Sequence, residues 1–254
     1  FRVFKDIEDP NYNQVFFMPI IEFNNIYDGL TLGVKTYNKT LLRKHFNYKL
    51  EPKYSLKSKS LTGSANIYNI HDIENSNLYL INYGVRGGYE SYAENLFVRE
   101  ITPYLSFFFR DDKDFRSNIR NALYLRYLDI NRDRDIYNIL NTSEPNYNIL
   151  NMRYVHSNDN LVNYDSWYAD FQVAKTFTKV SFNYEYRKLF ENNRQLNLRA
   201  FTGAFLKNIN KIDSNYFSFA LDRPTDYLFD YAYLGRSEST GIFSQQYIDT
   251  EGGF

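Results

Sequence analysis

Three features of this sequence together predict an all-β chain, an antiparallel transmembrane β-barrel of about 12 strands. Apolar and polar side chains alternate with period two, the alternating segments are long, and Asn-, Asp-, Lys- and Ser-rich turns separate them. In a strand successive side chains point to opposite faces, so strict alternation makes one face greasy and the other ionic. Phe46, Tyr48, Leu50, Pro52, Tyr54 and Leu56 alternate with Asn47, Lys49, Glu51, Lys53 and Ser55. Val180, Phe182, Tyr184 and Tyr186 alternate with Ser181, Asn183, Glu185 and Arg187. The same holds for Trp167, Ala169, Phe171 and Val173, and for Ile101, Pro103, Leu105, Phe107 and Phe109.

The alternating segments fall near 14–24, 30–38, 46–57, 60–70, 78–89, 95–110, 117–130, 147–157, 163–175, 178–188, 195–206 and 215–222. Several reach the roughly 9–11 residues that a tilted strand needs to cross a bilayer. Turns are expected at Asp72–Asn77, Asp111–Asp114, Glu191–Arg194 and Asn208–Asn215, with longer loops at Asn131–Asn146 and Arg223–Gly241. One short-looped and one long-looped rim is the habit of outer-membrane barrels. A soluble β-sandwich would alternate as well. The ionic residues set inside long strands suit a wet lumen better, and Tyr and Phe flanking the apolar runs suit membrane interfaces. The outward set is expected to be Phe46, Tyr48, Leu50, Tyr54, Leu105, Phe107, Trp167, Phe171, Phe182 and Tyr184. The lumen set is expected to be Asn47, Lys49, Glu51, Lys53, Gln172, Asn183, Glu185 and Arg187.

Composition narrows the class further. The 254 residues carry 30 Lys+Arg and 30 Asp+Glu, so no basic excess points to nucleic acid. Cysteine is absent, which removes disulfides and thiolate chemistry. There are 25 Tyr and 22 Phe against a single Trp, yet the mean hydropathy is −0.56. Disordered chains are poor in aromatics, so order is expected. No apolar run approaches the length of a membrane-spanning helix. The whole chain, 1–254, is expected to be one barrel domain, incomplete at both ends. Phe1-Arg2-Val3 lacks an initiator Met, and Glu251-Gly252-Gly253-Phe254 reads like the opening of another strand.

Candidate chemistry is sparse. His45, His71 and His156 are far apart and none opens an H-E-x-x-H pattern, so rim or turn positions are expected rather than metal ligation. Asp129, Asn131, Asp133 and Asp135 alternate as in the start of a calcium loop. The sixth and twelfth places of that pattern hold Arg134 and Leu140 instead of Gly and Glu, which favours a solvated loop. Val85-Arg86-Gly87-Gly88-Tyr89 resembles the Val-Arg-Gly-aromatic motif of barrel-assembly proteins, which places an Arg in the lumen, but Gly88 is extra. A strand end at a tight bend is the plainer reading. Asp222, Asp226 and Asp230 with Arg223 form the densest remaining carboxylate cluster. Paired carboxylates can act as acid and base, but Pro224 favours a loop pinned by an Asp–Arg contact. No catalytic or cofactor-binding residue is assigned.

Several strings are distinctive. They are SLTGSANIYNIH from Ser60, SYAENL from Ser91, FRSNIRNALYLRYLDINRDRD from Phe115, VSFNYEYRKLFENNRQLNLRAFTGAFL from Val180 and FSFALDRPTDYLFDYAYLGRSESTGIFSQQYIDTEGGF from Phe217. Together, from about residue 15 to 254, the chain is similar to the C-terminal region of large Bacteroidota proteins that begin with a gluzincin-type, aminopeptidase N-like metallopeptidase domain. The resemblance implies a bacterial outer-membrane location, the lipid bilayer as a partner, and a zinc peptidase domain upstream. It transfers no zinc ligand to this chain, because no position here matches H-E-x-x-H.

Three functions follow as expectations: an anchor or scaffold for that upstream domain, a pore or export channel for peptides or proteins, or a structural barrel subunit of an envelope complex with other outer-membrane or periplasmic proteins. An inward-folded plug would favour the anchor. An open lumen lined by Lys49, Lys53, Glu185 and Arg187 would favour the pore.

Overall fold

The computed structural model describes residues 14–38, 44–110, 117–134, 146–209, 216–219, 226–230, 233–234 and 247–248. Eleven strands follow one another: β1 (Phe16–Phe23), β2 (Leu30–Tyr37), β3 (Phe46–Ser55), β4 (Leu61–Asp72), β5 (Leu78–Ala93), β6 (Leu96–Phe109), β7 (Ile119–Arg132), β8 (Tyr147–Asn158), β9 (Asn163–Ala174), β10 (Phe177–Leu189) and β11 (Gln195–Asn208). They form one 11-stranded antiparallel meander in which every strand pairs with its sequence neighbours. β1 and β11 are its two edges, so the described sheet is open. A separate ladder joins β12 (Tyr233–Leu234) to β13 (Tyr247–Ile248). Among the described residues there is no helix.

The first eleven alternating segments of the sequence are these strands, to within a few residues at most ends. β5, β6 and β7 run for 16, 14 and 14 residues, well beyond the roughly 5–6 residues of an ordinary strand. The twelfth segment, 215–222, is not a strand where it is described. Tyr216 and Phe217 form a turn that lies against the sheet, because their aromatic side chains pack there instead of pairing along an edge. The loops also fail to sort by rim. Two-residue turns (Glu94–Asn95 and Lys175–Thr176) share a rim with the long connection between β7 and β8.

Asparagine explains several of the tight turns. Asn75, Asn95 and Asn193 have φ of 56°, 56° and 59°, the left-handed region that Asn tolerates best after Gly. Gly84 answers a different need, close approach: a Cβ there would lie 2.4 Å from the Ile67 carbonyl oxygen of the neighbouring strand.

The register fixes which side chains share a face. Asn47, Lys49, Glu51 and Lys53 lie opposite Tyr68, Asn66, Ser64 and Thr62. Asn66 in turn lies opposite Arg86, Arg86 opposite Thr102, and Tyr104 opposite Arg126. Arg126, Arg153, Asp170 and Ser181 continue the same face through β8, β9 and β10. This face is polar and largely buried: Thr31, Asn47, Ser55, Thr62, Thr102, Ser106, Asn151, Asp170, Gln172, Lys179 and Asn183 are all on it. The opposite face exposes Phe17, Ile21, Leu32, Val34, Phe46, Tyr54, Ile67, Val85, Ile101, Leu150, Met152, Phe182 and Leu198. Water-soluble proteins bury the apolar face, and here the arrangement is reversed.

The buried face is concave. In the β1–β2 turn, Asn25 donates from Nδ2 to the Ser91 carbonyl on β5 (2.9 Å), and Asp28 accepts from the Ser91 amide (3.3 Å). A flat sheet would hold β2 and β5 about 14 Å apart. The apolar cluster inside the concavity is built from the ends of strands at one rim: Tyr92, Leu96, Val98, Leu128, Ile130, Tyr147, Ile149 and Phe177. They enclose Tyr216, Phe217, Tyr227 and Leu228.

Candidate functional site: an inward-folded strap on the polar face

The segments Tyr216–Phe219 and Asp226–Asp230 lie inside the concavity, and we call them the strap. Their contacts run from β5 to β11. Phe219 packs edge-on and tilted against Phe201 and Phe205 of β11, with ring centroids 5.8 and 5.2 Å away. It fits because Gly203 lies between those two on the same face; a Cβ there would come within 2.5 Å of the Phe219 ring. Phe177 of β10 packs against Phe217 at 4.9 Å and Tyr227 at 6.3 Å.

Lys179, 4% exposed, donates from Nζ to the Phe217 carbonyl (3.0 Å) and the Ser218 carbonyl (3.2 Å). Its ammonium also faces the rings of Phe219 (4.8 Å) and Tyr227 (4.9 Å). A buried cation needs donors satisfied and charge compensated; carbonyl dipoles and ring quadrupoles supply part of that here.

At the other end of the strap the chain turns sharply. The Phe229 amide donates to the Asp226 carbonyl (3.2 Å), and the Asp230 amide donates to Asp226 Oδ1 (3.0 Å). Phe229 takes a φ of 54°, an uncommon conformation for a bulky side chain that costs on the order of 1–3 kcal/mol. The turn directs the Phe229 carbonyl to Arg86 Nη2 (3.5 Å) and the Asp230 carboxylate to Arg126. Arg126 grips that carboxylate with two nitrogens, Nη1 to Oδ1 and Nη2 to Oδ2 (2.8 Å). This is the planar fork that guanidinium and carboxylate share.

The grip belongs to a connected network. Arg126 Nε donates to Asn151 Oδ1 (2.8 Å), and Asn151 Nδ2 donates to Asp170 Oδ2 (2.8 Å). Asp170 also accepts from Arg153 Nε (2.8 Å) and Gln172 Nε2 (2.6 Å). Gln172 Oε1 accepts from the Tyr227 hydroxyl (2.8 Å), so the network begins and ends on the strap. The Tyr147 hydroxyl donates to the Tyr227 carbonyl (2.8 Å). Partial enclosure alone would raise the Asp230 carboxyl. The hydrogen bonds and charge of Arg126, with Arg153 and Arg86 nearby, outweigh it and hold the group below its ordinary value.

Two cavities flank the end of the strap. One, of about 390 Å³, is lined by Asn66, Arg86, Tyr104, Arg126, Arg153 and Asp230 among others. The second, of about 610 Å³, shares Asn66, Arg86 and Asp230 and extends over Glu22, Lys49, Lys53 and Glu100. Lys53 pairs with Glu22 (2.5 Å), Lys49 with Glu51 (2.8 Å) and Arg86 with Glu100 (3.3 Å).

The residues singled out in the sequence are placed as follows. Asp129 and Asn131 lie in β7 on the outward face, and Asp129 faces Arg99 at 3.7 Å. Asp133 follows the strand and accepts from the Phe97 amide at 3.2 Å. Asp135 lies outside the described residues. Extended backbone spaces alternate side chains by nearly 7 Å, so the described members of the calcium-like run do not converge. Among the described residues no three His, Asp or Glu side chains gather as a metal site would require.

His45 and His71 lie at or near the rim that carries the β4–β5 turn, and His156 lies toward that rim on β8, stacked at 5.6 Å on Trp167. Val85–Tyr89 is neither a loop motif nor a strand end: β5 continues unbroken to Ala93 because Gly87 and Gly88 keep full pairing with β6. Arg86 nevertheless points into the concavity. Asp222, Arg223 and Pro224 lie outside the described residues. The Asp–Arg contact that pins the loop is made by Asp230 with Arg126 of a distant strand. Arg126, Arg153 and Lys179 carry no sequence motif. Their signal was phase alone, since each sits at a position of its strand that faces the concavity.

No family model matches the chain, and neither curated proteins nor solved structures yield a match.

Proposed function

We propose that this chain is a β-barrel of a bacterial outer membrane that anchors or scaffolds a zinc metallopeptidase domain of the aminopeptidase type, encoded upstream in a longer protein. The observation that carries the barrel is the reversed burial: long strands bury Asn47, Thr102, Asp170, Gln172 and Asn183 while exposing Phe17, Ile21, Leu150 and Leu198. Lipid is the solvent that makes such an outward face favourable. Curvature supports it too, since one short strap touches strands from β5 to β11. Closure would bring further chain against β1 and β11, because an unpaired edge is not tolerated in hydrocarbon.

The strap favours the anchor over an open pore. It occupies the concavity beneath β6–β10 and leaves unfilled space mainly toward β1–β5. The peptidase partner rests on the family resemblance of the strings quoted above. The protein purified in detergent should migrate faster in gels when unheated than when boiled, and should insert into lipid vesicles. A chain that stays monomeric and soluble without detergent refutes the membrane reading. Loss of peptidase activity in the full-length parent on mutation of an upstream H-E-x-x-H motif, with none in this segment, tests the anchor reading.

A further inference from the structure

The strap presents one carboxylate to a surface that has the form of a carboxylate receptor. Three guanidiniums, those of Arg86, Arg126 and Arg153, line one cavity of about 390 Å³ together with Asp230. The arginines come from three different strands, β5, β7 and β8. Their positions are set by the sheet: Arg153 is held by Asp170, Arg126 by Asn151, and Arg86 by Glu100. Three cations therefore face three carboxylates, Glu100, Asp170 and Asp230. Two of those carboxylates are fixed on strands. The third is on the strap, its side chain still 30% accessible, while Arg126 is 15% accessible. The neighbouring donors are neutral and suited to a second oxygen-rich group: Asn66, Thr102, Tyr104 and Ser106 line the same cavity.

We propose that Arg126, with Arg86 and Arg153 beside it, is a binding site for a small carboxylate solute, and that Asp230 fills it as a tethered ligand. Removing the Asp230 charge leaves the cradle with one cation in excess and its bidentate face open. A solute carboxylate then takes the two Arg126 nitrogens, and the rest of the molecule occupies the adjoining cavity. In the intact chain the strap holds Asp230 on Arg126 as an intramolecular ligand, so a solute carboxylate competes only when abundant. The site rests on the barrel reading for the route by which a solute reaches the concave face, and not for binding itself.

The test is calorimetric titration of the full chain in detergent with succinate, using neutral succinamide as the control at matched ionic strength. Asp230→Asn keeps the side-chain shape and should bind succinate at least about tenfold more tightly than the unaltered chain. Arg126→Gln added to Asp230→Asn should abolish the gain. Succinamide should give no heat with any of the three. Equal succinate affinity in all three proteins, or equal response to succinate and succinamide, overturns the proposal. Hydrogen exchange on the unaltered chain supplies a measurement free of any folding defect. Saturating succinate should speed exchange at residues 226–230 and succinamide should not; unchanged exchange also overturns the proposal. Gel migration of the same samples reports the barrel separately, so either reading can fail while the other stands.

Discussion

The concave face has two unlike halves. Beneath β6–β10, Leu128, Ile130, Tyr147, Ile149 and Phe177 pack against Tyr216, Phe217, Tyr227 and Leu228, and this half is as dry as the core of a soluble protein. Toward β1–β5 the same face is ionic and open, with Glu22–Lys53, Lys49–Glu51 and Arg86–Glu100 around a cavity of about 610 Å³. Both halves obey one alternation. The difference lies in what covers them: the strap covers the first and space remains over the second. Inward position therefore selects ionic residues where space remains, and where the strap lies on top it selects apolar residues together with a few polar ones, such as Lys179 and Gln172, whose partners the strap supplies.

The largest effect that would sharpen this contrast comes from the dry half. Phe177 is fully buried among Phe205, Phe217 and Tyr227. Phe177→Ala should destabilise by about 3–5 kcal/mol and free the strap, as large-to-small changes in packed cores do. Lys49→Gln, in the wet half, should leave stability nearly unchanged, since Lys49 is well exposed and its ion pair with Glu51 is solvated on the lysine side. Urea unfolding in detergent, read beside protease cleavage around residues 226–230, compares them. Similar shifts from both changes would erase the distinction between the halves.

A second comparison sets the concave face against the outward one. Phe182, 39% exposed on β10, points away from Asn183, which is buried. Phe182→Arg should cost about 2–4 kcal/mol if the residue meets hydrocarbon near the bilayer midplane. The same change on a water-facing surface would be nearly silent. Folding into lipid vesicles against folding into detergent of varied chain length gives the measurement. No penalty in lipid would place the outward face in water and count against the barrel.

Most of the sheet was legible because period-two patterning needs no knowledge of partners. Eleven segments and the facing of Phe46, Asn47, Phe182, Asn183 and Gln172 follow from it. The strap was not legible, for a physical reason. Tyr216, Phe217 and Phe219 with Tyr227 and Leu228 have the aromatic density of a strand, and only the tertiary space inside the sheet makes them a turn. The apolar residues at the inward rim positions, such as Leu128 and Ile149, were likewise silent. They break the expected polarity of a lumen, and that break was the available trace of the strap. The charge network failed to announce itself because Arg126, Asp170 and Asp230 are up to 104 residues apart, and pairing across that separation is a property of the sheet's curvature.

The smallest expected effect concerns pH at the boundary between the two halves. Arg126 holds the Asp230 carboxyl below its ordinary value of 3.8. A carboxyl with a depressed value when docked contributes stability that is present above the undocked value and lost as pH falls through the docked one. The strap end should therefore be fully held at neutral pH, begin to loosen below pH 3.8, and lose the contribution once Asp230 is protonated on Arg126. Because the pair is partly solvated, its share should stay under about 1 kcal/mol, and other carboxylates titrate in the same window. The informative quantity is therefore the difference between the unaltered chain and Asp230→Asn. At pH 7 hydrogen exchange at residues 226–230 should be slower in the unaltered chain, and the gap should close as the solution is acidified. Raising the salt concentration should narrow it as well, as screening acts on an accessible pair. A gap that persists unchanged into acid would mean that Tyr227 and Leu228, in the dry half, hold the strap without help from its charged end.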